Sequence, residues 1–188
     1  MRLKESRRVP MWNGPIECRM FRFDLMKGSV RDKLEVNTAQ GATAVPAAPS
    51  SNAWVIDTNI VLDLWLFEDP ATAPLRAALQ KGDIVHLATA SMRDELERVL
   101  TYPQIVKRMA KSQVQAQDIL NRFDEHHLVA EPAVKAPYTC KDPDDQKFID
   151  LAVAHTAPLL SKDAAILCMK KRLQQAGVIL NPTEIPTS

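Results

Sequence analysis

Trp54-Val55-Ile56-Asp57-Thr58-Asn59 is the stretch on which the fold turns. Three large apolar residues in a row, two of them β-branched, read as a strand buried on both faces. The run stops at an acid, and apolar positions at helical spacing follow over Ile60–Phe67. A buried strand that feeds a helix is the opening half of a βαβ unit. Working outward, Leu75–Leu79 reads as helix and Ile84–Ala88 as a second strand. Ser91–Leu100 predicts an amphipathic helix with Met92, Leu96, Val99 and Leu100 as its stripe. Ser112 and Gln115 form a capping-box pair opening a helix with the stripe Ala116, Ile119, Leu120, Phe123 and His127. Leu128–Glu131 predicts a short strand, Asp142–Thr156 a helix, Leu159–Ser161 a strand, Ala164–Gln175 a helix and Val178–Leu180 a last strand. Strands alternating with helices imply a parallel sheet covered by helices. Sites in such sheets collect beyond the carboxyl ends of the strands.

The chain is 188 residues long, 46% hydrophobic and 25% charged, which is enough to bury a core. No apolar run approaches the roughly 18 residues that a membrane span needs. The basic N-terminus lacks the apolar segment of a secretory signal. Three cysteines, Cys18, Cys140 and Cys168, show no CxxC spacing. A disulfide framework and a cysteine zinc site are therefore not expected, and a reducing cytoplasm is. The net charge of +1 hides a division. Residues 1–50 hold nine Lys/Arg and five Asp/Glu, whereas residues 51–188 hold fifteen and eighteen. Between the two pieces, residues 37–53 carry no charge and have the Ala/Thr/Ser/Pro composition of a linker. Residues 1–53 are thus expected to be a basic, poorly ordered arm and linker, or to precede a later start such as Met11, Met20 or Met26. Residues 54–182 are expected to be the folded domain, and 183–188 a tail.

Four acidic positions lie where the expected strands and helices meet. Asp57 ends the first apolar run, and Asp163 follows Leu159-Leu160-Ser161-Lys162. Either could simply cap the next helix, where Asp is favoured. On the helix after Ser91, Glu95 falls roughly 85° from the centre of the buried stripe, Glu97 about 115° and Asp94 about 175°. Glu95 therefore flanks the buried face. In Lys141-Asp142-Pro143-Asp144-Asp145, proline at a first helical position makes Asp142 the cap. Asp145 lies roughly 50° from the stripe Phe148, Leu151, Ala152 and His155, and periodicity does not choose between it and Asp144. Carboxylates brought together at one sheet end raise one another's pKa unless a cation neutralises them. Oxygen ligands without His or Cys suit Mg²⁺ or Mn²⁺, and one or two such ions serve phosphodiester cleavage. Arg93, Lys141, Lys147 and Lys162 adjoin the acidic segments and are candidate phosphate contacts, against the commoner fate of a lone cation as a solvated surface charge. His126-His127 reads as a helix end, Cys168 and Met169 as helix packing, and Trp65 as core or self-association surface. Cys140 reads as a lone cysteine exposed beside the acidic turn.

VIDTN (Val55–Asn59), DELERVL (Asp94–Leu100), DPDDQKFIDLA (Asp142–Ala152) and LLSKDAAIL (Leu159–Leu167) come in the order of a PIN domain, and from about Trp54 to Leu180 the chain resembles that family. It is most similar to the branch whose members are toxin components of toxin–antitoxin pairs. The resemblance implies a Rossmann-like three-layer α/β/α fold and a ribonuclease acting on single-stranded RNA. It assigns Asp57, Glu95, Asp145 and Asp163 to the Mg²⁺ or Mn²⁺ site, and Asn59 and Ser161 to supporting polar positions. Of the cations adjoining the acidic segments, Arg93 and Lys162 are the first candidates for phosphate contacts. An antitoxin protein and a homodimer are the partners it implies, and cleavage is expected to leave 5′-phosphate and 3′-hydroxyl ends. The same residues would serve a PIN-type RNA-processing nuclease without an antitoxin, and the fold alone would serve a non-catalytic interaction module.

Overall fold

The computed structural model describes residues 52–186, so the expectation of a basic arm falls almost wholly outside the described residues. The first strand, β1 (Ala53–Ile56), is buried at every position, as its unbroken apolar run requires. It feeds α1 (Thr58–Trp65), which buries Ile60, Val61, Leu62, Leu64 and Trp65. A 3₁₀ turn at Pro70–Thr72 leads into α2 (Ala73–Lys81), which ends on Gly82 at φ +78°. Glycine takes that left-handed C-terminal position without a Cβ penalty. Then come β2 (Val85–Ala88), α3 (Ala90–Leu100), α4 (Pro103–Ser112), α5 (Ala116–His126) and β3 (His127–Val129). After a long irregular segment the chain forms α6 (Gln146–His155), β4 (Leu159–Leu160), α7 (Ala164–Leu167) and α8 (Lys170–Gln175).

The strands lie in the order β3-β2-β1-β4, and every pairing is parallel. From β1 the chain moves outward through β2 to β3, then returns to place β4 on the other side of β1. The order therefore reverses between β1 and β4, the point beyond the strand ends where sheets of this kind place their binding crevice. Val55 pairs with Leu159 and Ile56 with Leu160. The ladder continues with the Asp57 N–H donating to the Leu160 carbonyl at 2.9 Å, so Asp57 and Ser161 leave the sheet side by side. Helix α6 packs on β1 and β4, and α1 packs on α2, α3 and α5. Phe148, Ile149, Leu151 and Ala152 of α6 are buried, as is the expected α3 stripe of Met92, Leu96, Val99 and Leu100. The result is the expected parallel, three-layer α/β fold. Among the described residues no helix is long and apolar enough to cross a membrane.

Several expected elements are corrected. Helix α4 was not expected, because it buries only Ile105 and Met109, one i,i+4 pair that leaves too thin a stripe to read. Ser112 closes α4 instead of opening the next helix. The box that opens α5 is shifted: the Gln115 N–H donates to Asp118 Oδ2 at 3.0 Å. The helix expected over Ala164–Gln175 is broken at Cys168-Met169, and the break turns Ile166, Met169 and Leu173 all into the core. Cys168 is exposed and Cys140 is buried, the reverse of the expectation. Val178–Leu180 makes only a single parallel bridge, between Leu180 and Leu159. Trp65 is core, stacked on His126 with ring centroids 5.5 Å apart.

Candidate active site

Asp57 sits at the junction of β1 and α1, 2% exposed. It holds the N-cap position of α1, yet its side chain makes no capping bond. Its Oδ2 instead accepts from Ser161 Oγ at 2.7 Å and from Asn59 Nδ2 at 3.5 Å, which leaves Oδ1 outside that pair of bonds. Burial pushes the Asp57 carboxyl up to about 6, with Glu95 and Asp163 adding to the rise and the Ser161 bond opposing it. Ser161 is fully buried, and its Oγ also accepts the Asp163 N–H at 3.0 Å. One hydroxyl thus ties the two strand-end aspartates together. Asp163 does cap its helix, with Oδ1 accepting the Ala165 N–H at 2.6 Å.

Asp145 is the third member. The chain expected to begin a helix at Asp142 begins one only at Gln146, with Asp145 as N-cap. Asp142 instead closes an Asx turn, its Oδ1 accepting the Asp144 N–H at 2.9 Å. That turn consumes the helix-opening chemistry of the proline and leaves the Asp145 side chain without a capping bond. Asp145 Oδ2 is buried with no hydrogen-bond partner. Burial pushes the Asp145 carboxyl up to about 8, and the charges of Asp163, Asp57, Asp142 and Glu95 add to it. Asp57, Asp145 and Asp163 thus feel one another across the crevice, whereas Asp144 lines an open cleft of about 330 Å³ with Ser91, Asp94, Glu95, Arg98 and Lys147.

Glu95 projects from α3 with its side chain 15% exposed. It accepts from Thr58 Oγ1 at 3.4 Å and forms an ion pair with Lys147. Of the four cations beside the acidic segments, Arg93, Lys147 and Lys162 are engaged by carboxylates, whereas Lys141 is exposed. Arg93 makes a two-pronged contact to Asp124 at 2.8 and 2.9 Å, plus a 3.6 Å pair with Glu97. Lys162 pairs with Asp63 and, at 3.8 Å, with Asp69.

Asn181 was missed by the sequence reading. Its Oδ1 accepts the Ser161 N–H at 2.9 Å, and its Nδ2 donates to the Ser161 carbonyl at 2.8 Å. It clamps the backbone of the residue that holds both strand-end aspartates. The available signal was Asn181-Pro182 directly after an apolar run, a turn pattern, and Asn181 adopts φ +50° there. Its side-chain partner twenty residues away leaves no trace in local sequence.

Among the described residues, no three His, Cys, Asp or Glu side chains are drawn together closely enough to hold a metal ion as they stand. The chemistry of the donor set nevertheless fits a hard divalent ion. The candidate ligands are carboxylates without His or Cys, one carboxylate oxygen is buried without a hydrogen-bond partner, and two of the pKa values are raised by burial and mutual repulsion. A bound cation relieves the last two conditions. A parallel α/β domain with an acidic crevice at its topological switch point is the class that fold and site define. The family model for the PIN domain matches residues 53–165, and the chain belongs to that family. PIN domains are generally nucleases, usually dependent on divalent metal ions. Among curated proteins, none matches the chain.

Proposed function

We propose that the protein is a metal-dependent ribonuclease that hydrolyses phosphodiester bonds in single-stranded RNA. The observation that carries this reading is the buried, partnerless Asp145 Oδ2 facing the charges of Asp57 and Asp163 at the switch point. In this reading Asp57, Asp145 and Asp163 hold Mg²⁺ or Mn²⁺. When bound, the ion supplies a water of lowered pKa and neutralises charge on the scissile phosphate. Ser161 and Asn59 hold Asp57 in one rotamer by hydrogen bonds to Oδ2. Asp163 is fixed twice, by its N–H on Ser161 and by its own cap to Ala165. Such outer bonds orient ligands before the ion arrives, so little reorganisation remains on binding. RNA as the substrate, and a role as the toxin of a toxin–antitoxin pair, rest on the family resemblance.

The test is cleavage of a labelled single-stranded RNA by the purified full chain with Mg²⁺, Mn²⁺ or EDTA, beside Asp57→Asn. Cleavage that needs the metal and is lost in the variant supports the reading. Equal cleavage by Asp57→Asn, or in EDTA, overturns it. An adjacent gene for a small DNA-binding protein that co-purifies with the chain and silences it would support the toxin role.

A further inference from the structure

Lys147 is the one cation built into the acidic crevice among the ion pairs of the described residues. It lies on the first turn of α6, two residues beyond Asp145. Its ammonium is held from three directions: it pairs with Glu95 Oε2, donates to the Asp144 carbonyl at 2.8 Å, and stands 5.3 Å from the centroid of the Phe148 ring. Phe148 is 1% exposed, so the ring is a fixed platform. The side chains of Lys147 and Glu95 are only 25% and 15% exposed. This is unlike Lys162 and Arg93, whose side chains are 39% and 32% exposed and whose partners lie outside the four acidic positions.

The charge balance follows from those contacts. The charges of Asp163, Asp57, Asp142 and Glu95 all act on Asp145, and the Lys147 ammonium is bonded to Glu95. Asp57, Asp145 and Asp163 are left without a resident cation. One divalent ion with its remaining waters needs no more carboxylates than these. A two-ion site, with ions about 3.5–4 Å apart, would need Glu95 as well. We infer that Lys147 takes the place of a second metal ion, neutralising Glu95 so that the crevice holds a single divalent cation on Asp57, Asp145 and Asp163. Glu95 then acts as the anchor of Lys147 and not as a direct ligand. The inference rests on the metal-site reading above.

The pair lines an open cleft, so removing the ammonium would leave Glu95 charged and reachable by ions from solvent. Lys147→Met keeps a long aliphatic side chain and removes the ammonium, with its charge and its bond to the Asp144 carbonyl. The experiment titrates Mn²⁺ into the full chain by calorimetry and by electron paramagnetic resonance, with thermal melts to show that each variant is folded. Wild type and Lys147→Arg are expected to bind one ion with an uncoupled spectrum. Lys147→Met is expected to bind two, with spin–spin coupling. The double variant Glu95→Gln/Lys147→Met is expected to return to one. Two coupled ions in wild type, or one ion in Lys147→Met, would overturn the inference while leaving the metal site in place. No Mn²⁺ binding by wild type, or unchanged binding by Asp145→Asn, would sink the metal-site reading and this inference with it.

Discussion

The two strand-to-helix junctions of the crevice look alike in sequence and are used differently. At each, a buried apolar run ends and an aspartate precedes a helix. At β4 the aspartate caps, with Asp163 Oδ1 on the Ala165 N–H. At β1 it does not, and Asp57 turns to Ser161. The difference comes from register. Pairing of Ile56 with Leu160 sets Ser161 beside Asp57, whose hydroxyl offers a buried bond at 2.7 Å. Asp163 lies two residues farther along, beyond the sheet, where the exposed N-terminus of α7 is its nearest donor. An aspartate at a helix start is therefore a cap only when nothing better placed competes for it.

The largest effect expected from breaking this contrast is at Asp57. Asp57→Asn should lower nuclease turnover by roughly 100-fold or more, the scale seen when a preorganised electrostatic group is lost. Its fold should survive, because a buried group whose pKa is already raised loses little when it becomes neutral. Circular dichroism beside a cleavage assay checks both parts, and a collapsed fold would deny the contrast.

The next effect is expected at Asn181, which acts on both junctions through Ser161. Asn181→Ala should weaken Mn²⁺ binding by about 10- to 100-fold, as loss of a ligand-orienting partner does. In a Ser161→Ala background the same change should cost much less, because the bonds it serves are already gone. Equal losses in both backgrounds would make Asn181 a general stabiliser and not a positioning residue.

Metal-free stability should also depend on pH through the crevice. Asp145 keeps its proton in the folded chain up to about pH 8, but an unfolded Asp loses it near 3.8. The folded state binds more protons within that window, so stability falls as pH rises through it. His86 works in the opposite sense: burial pushes it down to about 3 from 6.5, so it favours folding at higher pH, but only below about 6.5. Asp57, raised to about 6, adds to the fall mainly below that pH, so between pH 6.5 and about 8 Asp145 carries the larger part of the slope. Thermal melts in EDTA are expected to show a falling Tm across that interval in wild type and a flatter one in Asp145→Asn. A rising Tm in wild type would contradict the burial of Asp145.

The smallest effect separates the two duties of Asp163. Asp163→Asn keeps a capping oxygen, whereas Asp163→Ala loses it. The alanine variant should be less stable than the asparagine variant by about 0.5–2 kcal/mol in the absence of metal. Both should be defective in cleavage. At Asp57, where no cap exists, the corresponding pair should show no capping deficit.

Much of this was legible locally. The βα alternation, the buried α3 stripe and the acids at strand ends all follow from short-range periodicity, because burial imposes a repeat of two or of 3.6 residues. Elements that bury little were not legible: α4 offers Ile105 and Met109 alone, and the break at Cys168-Met169 serves a core that local pattern does not reveal. The choice between Asp144 and Asp145 also stayed open on periodicity. The Asx turn at Asp142 moved the helix start, and which carboxylate then faced Asp57 was a matter of that turn.

By itself, the order of apolar runs determined a parallel α/β chain, and the residue types at the strand ends determined that aspartates stand where such sheets place their sites. Only the tertiary structure decided which carboxylates share a crevice, that Ser161 and not a helix end holds Asp57, that Asn181 secures Ser161, and that Lys147 occupies the Glu95 side. The physical reason is range. Hydrophobic periodicity is written within one turn or one strand, but the hydrogen bond between Ser161 and Asp57 spans 104 residues and exists only once strand register has set the two side by side.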